Sequence, residues 1–308
     1  MDLITIEAQS ERAVVVPEAG CQCLSYTVGA LEIIAGPSDP NQWRAHPHRG
    51  GIPILFPWPG RVANAQFTYR GAKYQVPVNE PHGHSIHGFA CQRPFKVLRR
   101  GPYFITSMLD SADDPSIAAM WPWPFQFEID YEVGNGLRLK ATVRNTGDGP
   151  MPFGFGAHPY IHAPLDPKGS RGAMSLKLAA DSHWPLNDKL IPIGAPNAVQ
   201  GKFDLRTARV LGDETYDDAF RMAPFKKDEP RARLVDPQAR AAIELRADRI
   251  FEDFVIFVPA GQNVVAIEPY TCAPDAFNLA ARGVESGMIE LWPGESWSGG
   301  FEIRISAP

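Results

Sequence analysis

Apolar and polar residues alternate strictly through Phe125–Val133. Phe125, Phe127, Ile129, Tyr131 and Val133 take one face, and Gln126, Glu128, Asp130 and Glu132 take the other. A period of two sends successive side chains to opposite sides of a strand, so this segment predicts a strand with one face in a core. Gly134-Asn135-Gly136 follows, and Leu137, Leu139, Ala141 and Val143 then resume the alternation as far as Asn145. Two alternating runs around a glycine–asparagine turn predict a β-hairpin. The same pattern predicts hairpins at Ala65–Val78, turning at Arg70-Gly71, at Arg231–Asp248, turning near Asp236-Pro237, and at Phe254–Pro269, turning near Ala260-Gly261. A further alternating strand lies in Glu295–Ser306.

Thirty prolines and 27 glycines break the chain every few residues. Long helices do not survive that, because an interior proline costs about 3 kcal/mol. No fixed-period repeat points to a propeller or solenoid, and neither glycine-rich phosphate-binding motif is present. The most plausible boundary, near Asp166–Gly172, has the same strand pattern on both sides. The expectation is therefore all-β: one large antiparallel β-sandwich domain over residues 1–308.

Composition narrows the function classes. A hydrophobic content of 44%, with 17 Phe and 7 Trp, is ample for a large core. The net charge of −5 comes without any run of lysine or arginine, which disfavours nucleic acid or a membrane surface as partner. No segment approaches the ~20 apolar residues of a membrane span. The opening residues lack a basic start and a cleavage site, and the four cysteines are too sparse for a disulfide framework. A cytoplasmic protein with free thiols is expected.

Against this background a few polar residues stand out. Val264–Ile267 is an apolar run suited to a sheet interior, yet Glu268 follows at once, before Pro269 and Tyr270. A buried carboxylate is costly unless it is paired or used. Arg61 follows a Pro-Trp-Pro-Gly turn, His82, His84 and His87 crowd one loop, His158 sits in PFGFGAHPYIH, and Asp217 and Asp218 interrupt ETYDDAFRM. Each has a plain structural reading: solvated or satisfied core histidines, an ion-paired arginine, turn aspartates. Three histidines and a glutamate are also potential metal ligands, but no pair has helical ligand spacing and no metal is expected.

Taken together, these segments resemble the aldose 1-epimerase (galactose mutarotase) family. Arg61 in GRVANAQFTYRGAKYQVPVNE, His87 in SIHGF, His158 in HPY, Tyr216-Asp217, and Glu268 in AIEPYTCAPDAFN fall in the family's order, from about Arg49 to LWPGESW. The resemblance implies a galactose mutarotase-like supersandwich that interconverts the α and β anomers of an aldose without a cofactor. It implies Glu268 as general base and His158 as general acid, with Arg61, His87 and Asp217 binding the sugar. A monomer or homodimer is expected, with a small sugar as its partner. Arg49 and Arg93 stand with Arg61 as candidate phosphate contacts, and Phe56, Trp58, Tyr160 and Phe277 are candidate walls for a sugar face.

Two features depart from the family pattern. Gly60 stands where asparagine often precedes the arginine, and the PHGHSIHG loop is long and rich in histidine. Three alternatives remain open at this stage: a hexose-6-phosphate 1-epimerase, a non-catalytic carbohydrate-binding protein, and a glycoside hydrolase or lyase on a related sandwich.

Overall fold

The computed structural model describes residues 2–37 and 46–308. Its largest sheet has nine strands, in the spatial order Lys96–Arg100, Phe104–Asp110, Phe125–Glu132, Leu137–Asn145, Ser296–Ser306, Ala241–Ala247, Ala232–Asp236, Ser175–Leu178 and Arg209–Val210. Every pairing between these neighbours is antiparallel. The hairpin predicted from alternation forms with Phe127 opposite Val143, Ile129 opposite Ala141 and Tyr131 opposite Leu139, all fully buried. Ser296–Ser306 lies between two hairpins, with Leu139 opposite Phe301 on one side and Leu245 opposite Ile303 on the other.

A second sheet packs across this one, and the two form a β-sandwich. Its path runs Asn197–Ala198, Ala180–His183, Tyr216–Met222, Asp253–Val258, Val264–Tyr270, Gly156–Ala157 and Ile54–Leu55, and Tyr160–His162 pairs with Val264–Tyr270 as well. Aromatic rings join the layers. Phe56 stacks on Phe127 with centroids 4.3 Å apart, and Phe155 meets Phe127 edge-on at 5.9 Å. A four-stranded antiparallel sheet, Ile4–Ala8, Glu11–Val16, Gln22–Val28 and Leu31–Glu32, adds to the same core through Ile6, Ala13, Val15 and Tyr26.

The central strands of the second sheet are covered on both faces. Phe254, Ile256, Val258, Val265 and Ile267 enter the main core, while Ala219, Val255 and Tyr270 join a separate apolar cluster on the other side. That explains why these segments read as continuous apolar runs rather than as alternation. It also fixes where Glu268 points: it sits on the face away from the main core.

Helices among the described residues are short, as the proline content implies. Pro115–Met120 and Ala276–Ala281 have six residues each, and the first starts with the Asp114 carboxylate accepting the Ser116 N–H. All four cysteines are free and buried. Phe127, with no exposed surface and a stacked partner in Phe56, tests how far the sandwich depends on the ring contacts between layers. Phe127→Ala is expected to lower unfolding free energy by about 3–5 kcal/mol, read as a drop in the urea midpoint at unchanged slope.

Candidate functional site

The site is laid out by sheet register. On the outer face of the second sheet, Asp217 lies opposite Phe257, Phe257 opposite Ala266, and Ala266 opposite Tyr160. The next row runs Ala219, Val255, Glu268, and the row beyond it Arg221, Asp253, Tyr270. Side chains two apart share a face, and from these rows Asp217, Phe257, Tyr160, Ala219, Val255, Glu268 and Tyr270 line one cleft of about 640 Å³. Glu268, His158, Arg61, His87 and Asp217 all line it. Segments up to about 210 residues apart in sequence thus meet in one place.

Glu268 is 1% exposed. Its Oε2 accepts a hydrogen bond from the Tyr270 hydroxyl at 2.7 Å, and its Oε1 lies 3.2 Å from His158 Nε2. Burial drives this carboxyl well above the usual carboxylate range. The Tyr270 hydrogen bond pulls it down, the Asp217 charge pushes it further up, and the Arg61 charge pulls it down. His158 sits between Gly156–Ala157 and Tyr160–His162 and donates its backbone N–H to Pro53 O at 3.0 Å. Its ring stacks flat on Tyr160, with centroids 4.2 Å apart, and Tyr160 in turn donates its hydroxyl to His48 O at 2.9 Å. Burial, with His48 adding to it, pushes His158 below the ordinary histidine value. Removal from water thus disfavours charge on both members of the pair.

His87 is held by a two-way clamp. Its backbone N–H donates to Gly60 O at 2.8 Å, and the Gly60 N–H donates to His87 Nδ1 at 3.2 Å. An Nδ1 that accepts must lack a proton, so neutral His87 carries its proton on Nε2. This bears on the metal alternative. One ligand atom each from His87, His158 and Glu268 lie within 4.8 Å of one another. A metal would need the Nε2 lone pair of His87, and the clamp puts a proton there. The donor set does not fit a cation.

Gly60 is also required sterically. It has φ of +67°, and a Cβ there would stand 2.9 Å from Pro274 Cβ. The asparagine position common in the family is thus closed by the chain just after Glu268.

Arg61 pairs with Ile86 in a two-stranded ladder and has Nε 4.0 Å from Glu80 Oε2. The turn that follows it is pinned from two sides, and one of the two supports is itself held. Asp275 Oδ1 accepts the Ala63 N–H at 2.9 Å, His84 Nδ1 accepts the Asn64 N–H at 2.9 Å, and Glu80 Oε1 accepts the His84 N–H at 2.8 Å. The histidine-rich loop therefore divides. His87 faces the cleft, buried His84 supports the arginine turn, and His82 is exposed. Asp217 also lines the cleft; burial raises its pKa, the Arg61 charge opposes that rise and the Asp218 charge adds to it.

Other expectations need correction. Arg93 does not line the cleft, because its guanidinium binds Asp114 at 2.7 Å and Ser116 at 3.0 Å. Arg49 does line it. Of the four proposed aromatic walls only Tyr160 faces the cleft. Phe56 stacks on Phe127, while Trp58 meets Trp121 at 5.6 Å and Phe277 meets Phe67 at 4.6 Å in tilted contacts, all inside the core. Phe257, Tyr270 and His48 are among the lining residues that no sequence motif pointed to. The first two carried a signal, since Tyr270 is two residues past Glu268 and Phe257 is two past Val255, which pairs with Glu268. Nothing in HPHRG marks His48, whose ring lies 5.2 Å from His87 and which burial brings down to about 4.

Comparison with known proteins follows from this geometry. The aldose 1-epimerase family matches residues 2–304. The protein YihR of Escherichia coli (strain K12), itself uncharacterized, is 25% identical over 238 residues, covering 77% of this chain and 74% of that one. A galactose mutarotase-like protein of Clostridium acetobutylicum superimposes with a TM-score of 0.91 at 22% identity, covering 99% of this chain and 95% of its own. A putative aldose 1-epimerase from Escherichia coli K12 gives 0.83 at 18% identity, covering 100% and 99%. Gly60→Asn is expected to lose about 1–3 kcal/mol of stability through the clash with Pro274. A melting temperature equal to the parent's would show that Pro274 yields.

Proposed function

Because the chain belongs to the aldose 1-epimerase family, we propose that it interconverts the α and β anomers of a free aldose by opening and reclosing the hemiacetal ring. The observation that carries this reading is the buried contact of 3.2 Å between Glu268 Oε1 and His158 Nε2 at the floor of the cleft. Ring opening removes a proton from the C1 hydroxyl and delivers one to the ring oxygen. Ionised Glu268 takes the first proton and protonated His158 supplies the second, the C1–ring-oxygen bond breaks, and an open-chain aldehyde remains. Rotation about C1–C2 presents the other face of the carbonyl. The ring oxygen adds back, its proton returns to His158, and the carbonyl oxygen recovers its proton from Glu268. Both groups end as they began, and no electron carrier takes part.

The reactive state needs Glu268 ionised and His158 protonated, although burial favours the neutral forms. The two states hold the same number of protons and differ by moving one across the 3.2 Å gap. The pair therefore titrates as a unit. His87 offers an Nε2–H donor, Arg61 a guanidinium and Asp217 a carboxylate, which together suit a ring of hydroxyl groups. Phe257 and Tyr160 supply an apolar surface beside them.

Charge favours a neutral sugar over a phosphorylated one. Glu80, Asp217, Asp218 and Glu268 face the cleft against Arg49 and Arg61, and Arg61 already has Glu80 beside it. With Asp218 paired to Lys202 and Arg61 beside Glu80, a phosphate dianion entering here finds no surplus of cationic side chains. A purely binding protein would gain nothing from a buried acid–base pair, whose desolvation is unfavourable.

The test is polarimetry on freshly dissolved α-D-glucose and α-D-galactose. The protein is expected to speed the approach to an unchanged final rotation. Glu268→Gln and His158→Asn are each expected to lose at least ~10²-fold in turnover. Turnover confined to hexose 6-phosphates, or sugar binding without acceleration, would replace the reading with the corresponding alternative. The pH profile has a sign as well. With His158 lowered and Glu268 raised, the singly protonated pair spans a broad plateau: the acid limb belongs to His158, below its usual ~6.5, and the alkaline limb to Glu268, above the usual ~4.3. A narrow bell with both limbs at the ordinary values would contradict the burial argument.

A further inference from the structure

We propose that Tyr270 is a positioning residue for the reaction: its hydroxyl holds Oε2 of Glu268 and leaves Oε1 alone to face His158 and the sugar. The inference rests on the epimerase reading for its role in turnover, and on geometry for the contact itself.

A buried tyrosine needs some partner for its hydroxyl, so the bond alone could be packing. Three observations give it a direction. First, the two carboxylate oxygens are divided, Oε2 to Tyr270 at 2.7 Å and Oε1 to His158 Nε2 at 3.2 Å, and among the described residues no other side-chain hydrogen bond reaches the Glu268 carboxylate. Without the hydroxyl, Oε2 is a buried acceptor with nothing to accept. Second, the tyrosine is itself immobilised. It lies opposite Gly156 and Asp253 in the sheet and is 1% exposed. A Cβ on Gly156 would come within 2.6 Å of the Tyr270 ring, so the glycine is what lets the ring lie flat against the strand. Third, the hydroxyl is a reliable donor. Burial, reinforced by Glu268, keeps it protonated far above neutrality.

The consequence for catalysis follows from which form of Glu268 the hydroxyl favours. Around this carboxylate stand His158, His87 and Tyr270 at short range, with Tyr160, Asp217 and Arg61 close enough to interact with it electrostatically. Burial and Asp217 oppose its charge, whereas Tyr270 and Arg61 favour it. A donor to the ionised oxygen enlarges the share of the pair in which Glu268 is charged and His158 holds the proton. It also fixes the plane of the carboxylate, so the free oxygen points at one spot on the sugar.

Tyr270→Phe removes one oxygen and keeps the ring. Loss of a hydrogen bond to a charged group is expected to raise the Glu268 midpoint by about one to two pH units. On the plateau, kcat then falls about 10- to 100-fold while KM changes less than about 3-fold, the alkaline limb moves up by the same one to two units, and the gap between variant and parent closes at high pH, where Glu268 is ionised in both. The midpoint is read independently of activity from the infrared band of the protonated carboxyl, assigned by its disappearance in Glu268→Gln, with thermal unfolding as the check that the variant is folded. A folded variant with an unmoved infrared midpoint overturns the proposal. A moved midpoint with unchanged kcat overturns the role in turnover. If the parent chain turns over no sugar, the epimerase reading fails, and the infrared midpoint still decides whether Tyr270 governs Glu268.

Discussion

The site depends on one constraint: a carboxylate is carried inside a sheet that is apolar on both faces. Glu268 shares its strand with Val265 and Ile267, which face the main core, and stands beside Val255 on a face that is itself largely covered. In such surroundings a charge without partners is worth several kcal/mol of destabilisation. The neighbourhood answers with a short-range hydrogen bond from Tyr270, an imidazole at His158 and the more distant charge of Arg61. Much of the remaining structure keeps these groups in register. The HPY turn aims His158, the Gly60 clamp fixes the His87 proton, and a buried histidine, His84, braces the turn after Arg61.

Rigid β-register suits this chemistry. Glu268 and the Asp217 carboxylate derive their spacing from ladders, and neighbouring rows of one sheet face have little freedom to drift, whereas His158 is set by the short turn between Gly156–Ala157 and Tyr160–His162. The row beyond repeats the pattern with a structural outcome. Asp253, buried on the same face, binds Arg221 through two hydrogen bonds of 3.0 and 3.1 Å and receives the Trp184 indole N–H at 2.7 Å. Two buried carboxylates two register steps apart thus have opposite characters. Asp253 has a full-strength cation and is held by it, whereas Glu268 has a neutral donor on one oxygen and an imidazole beside the other.

Local patterning made the hairpins readable, because alternation and turn chemistry act over a few residues. Phe125–Val133 and Leu137–Asn145 carry both signals and form the predicted pair. Glu268 was legible for the complementary reason: a carboxylate after an apolar run breaks the pattern. What stayed hidden was long-range. Phe56 and Trp58 lie just before Arg61 in sequence yet pack in the core, against Phe127 and Trp121. Arg93 carries the same charge as Arg49 but meets Asp114, and no spacing rule foretells that pairing. Tyr270 was within reach, two residues from the glutamate on the same face. In the sequence, a tyrosine near a core reads as packing, because nothing local shows where its hydroxyl bonds.

The position of Ser296–Ser306 in the middle of the nine-stranded sheet governs how the molecule can be made. Its two neighbours, Leu137–Asn145 and Ala241–Ala247, leave the ribosome long before it does, and until it arrives each presents an open edge lined with unpaired backbone groups. Closure of the sheet therefore waits for residues synthesised about 50 and 150 positions later, a separation that makes β-proteins slow to fold and prone to wrong pairings. The sandwich is a structure that its own synthesis cannot finish piecemeal, and a chaperone that shields those two edges would act on this chain at the stage where it is most exposed.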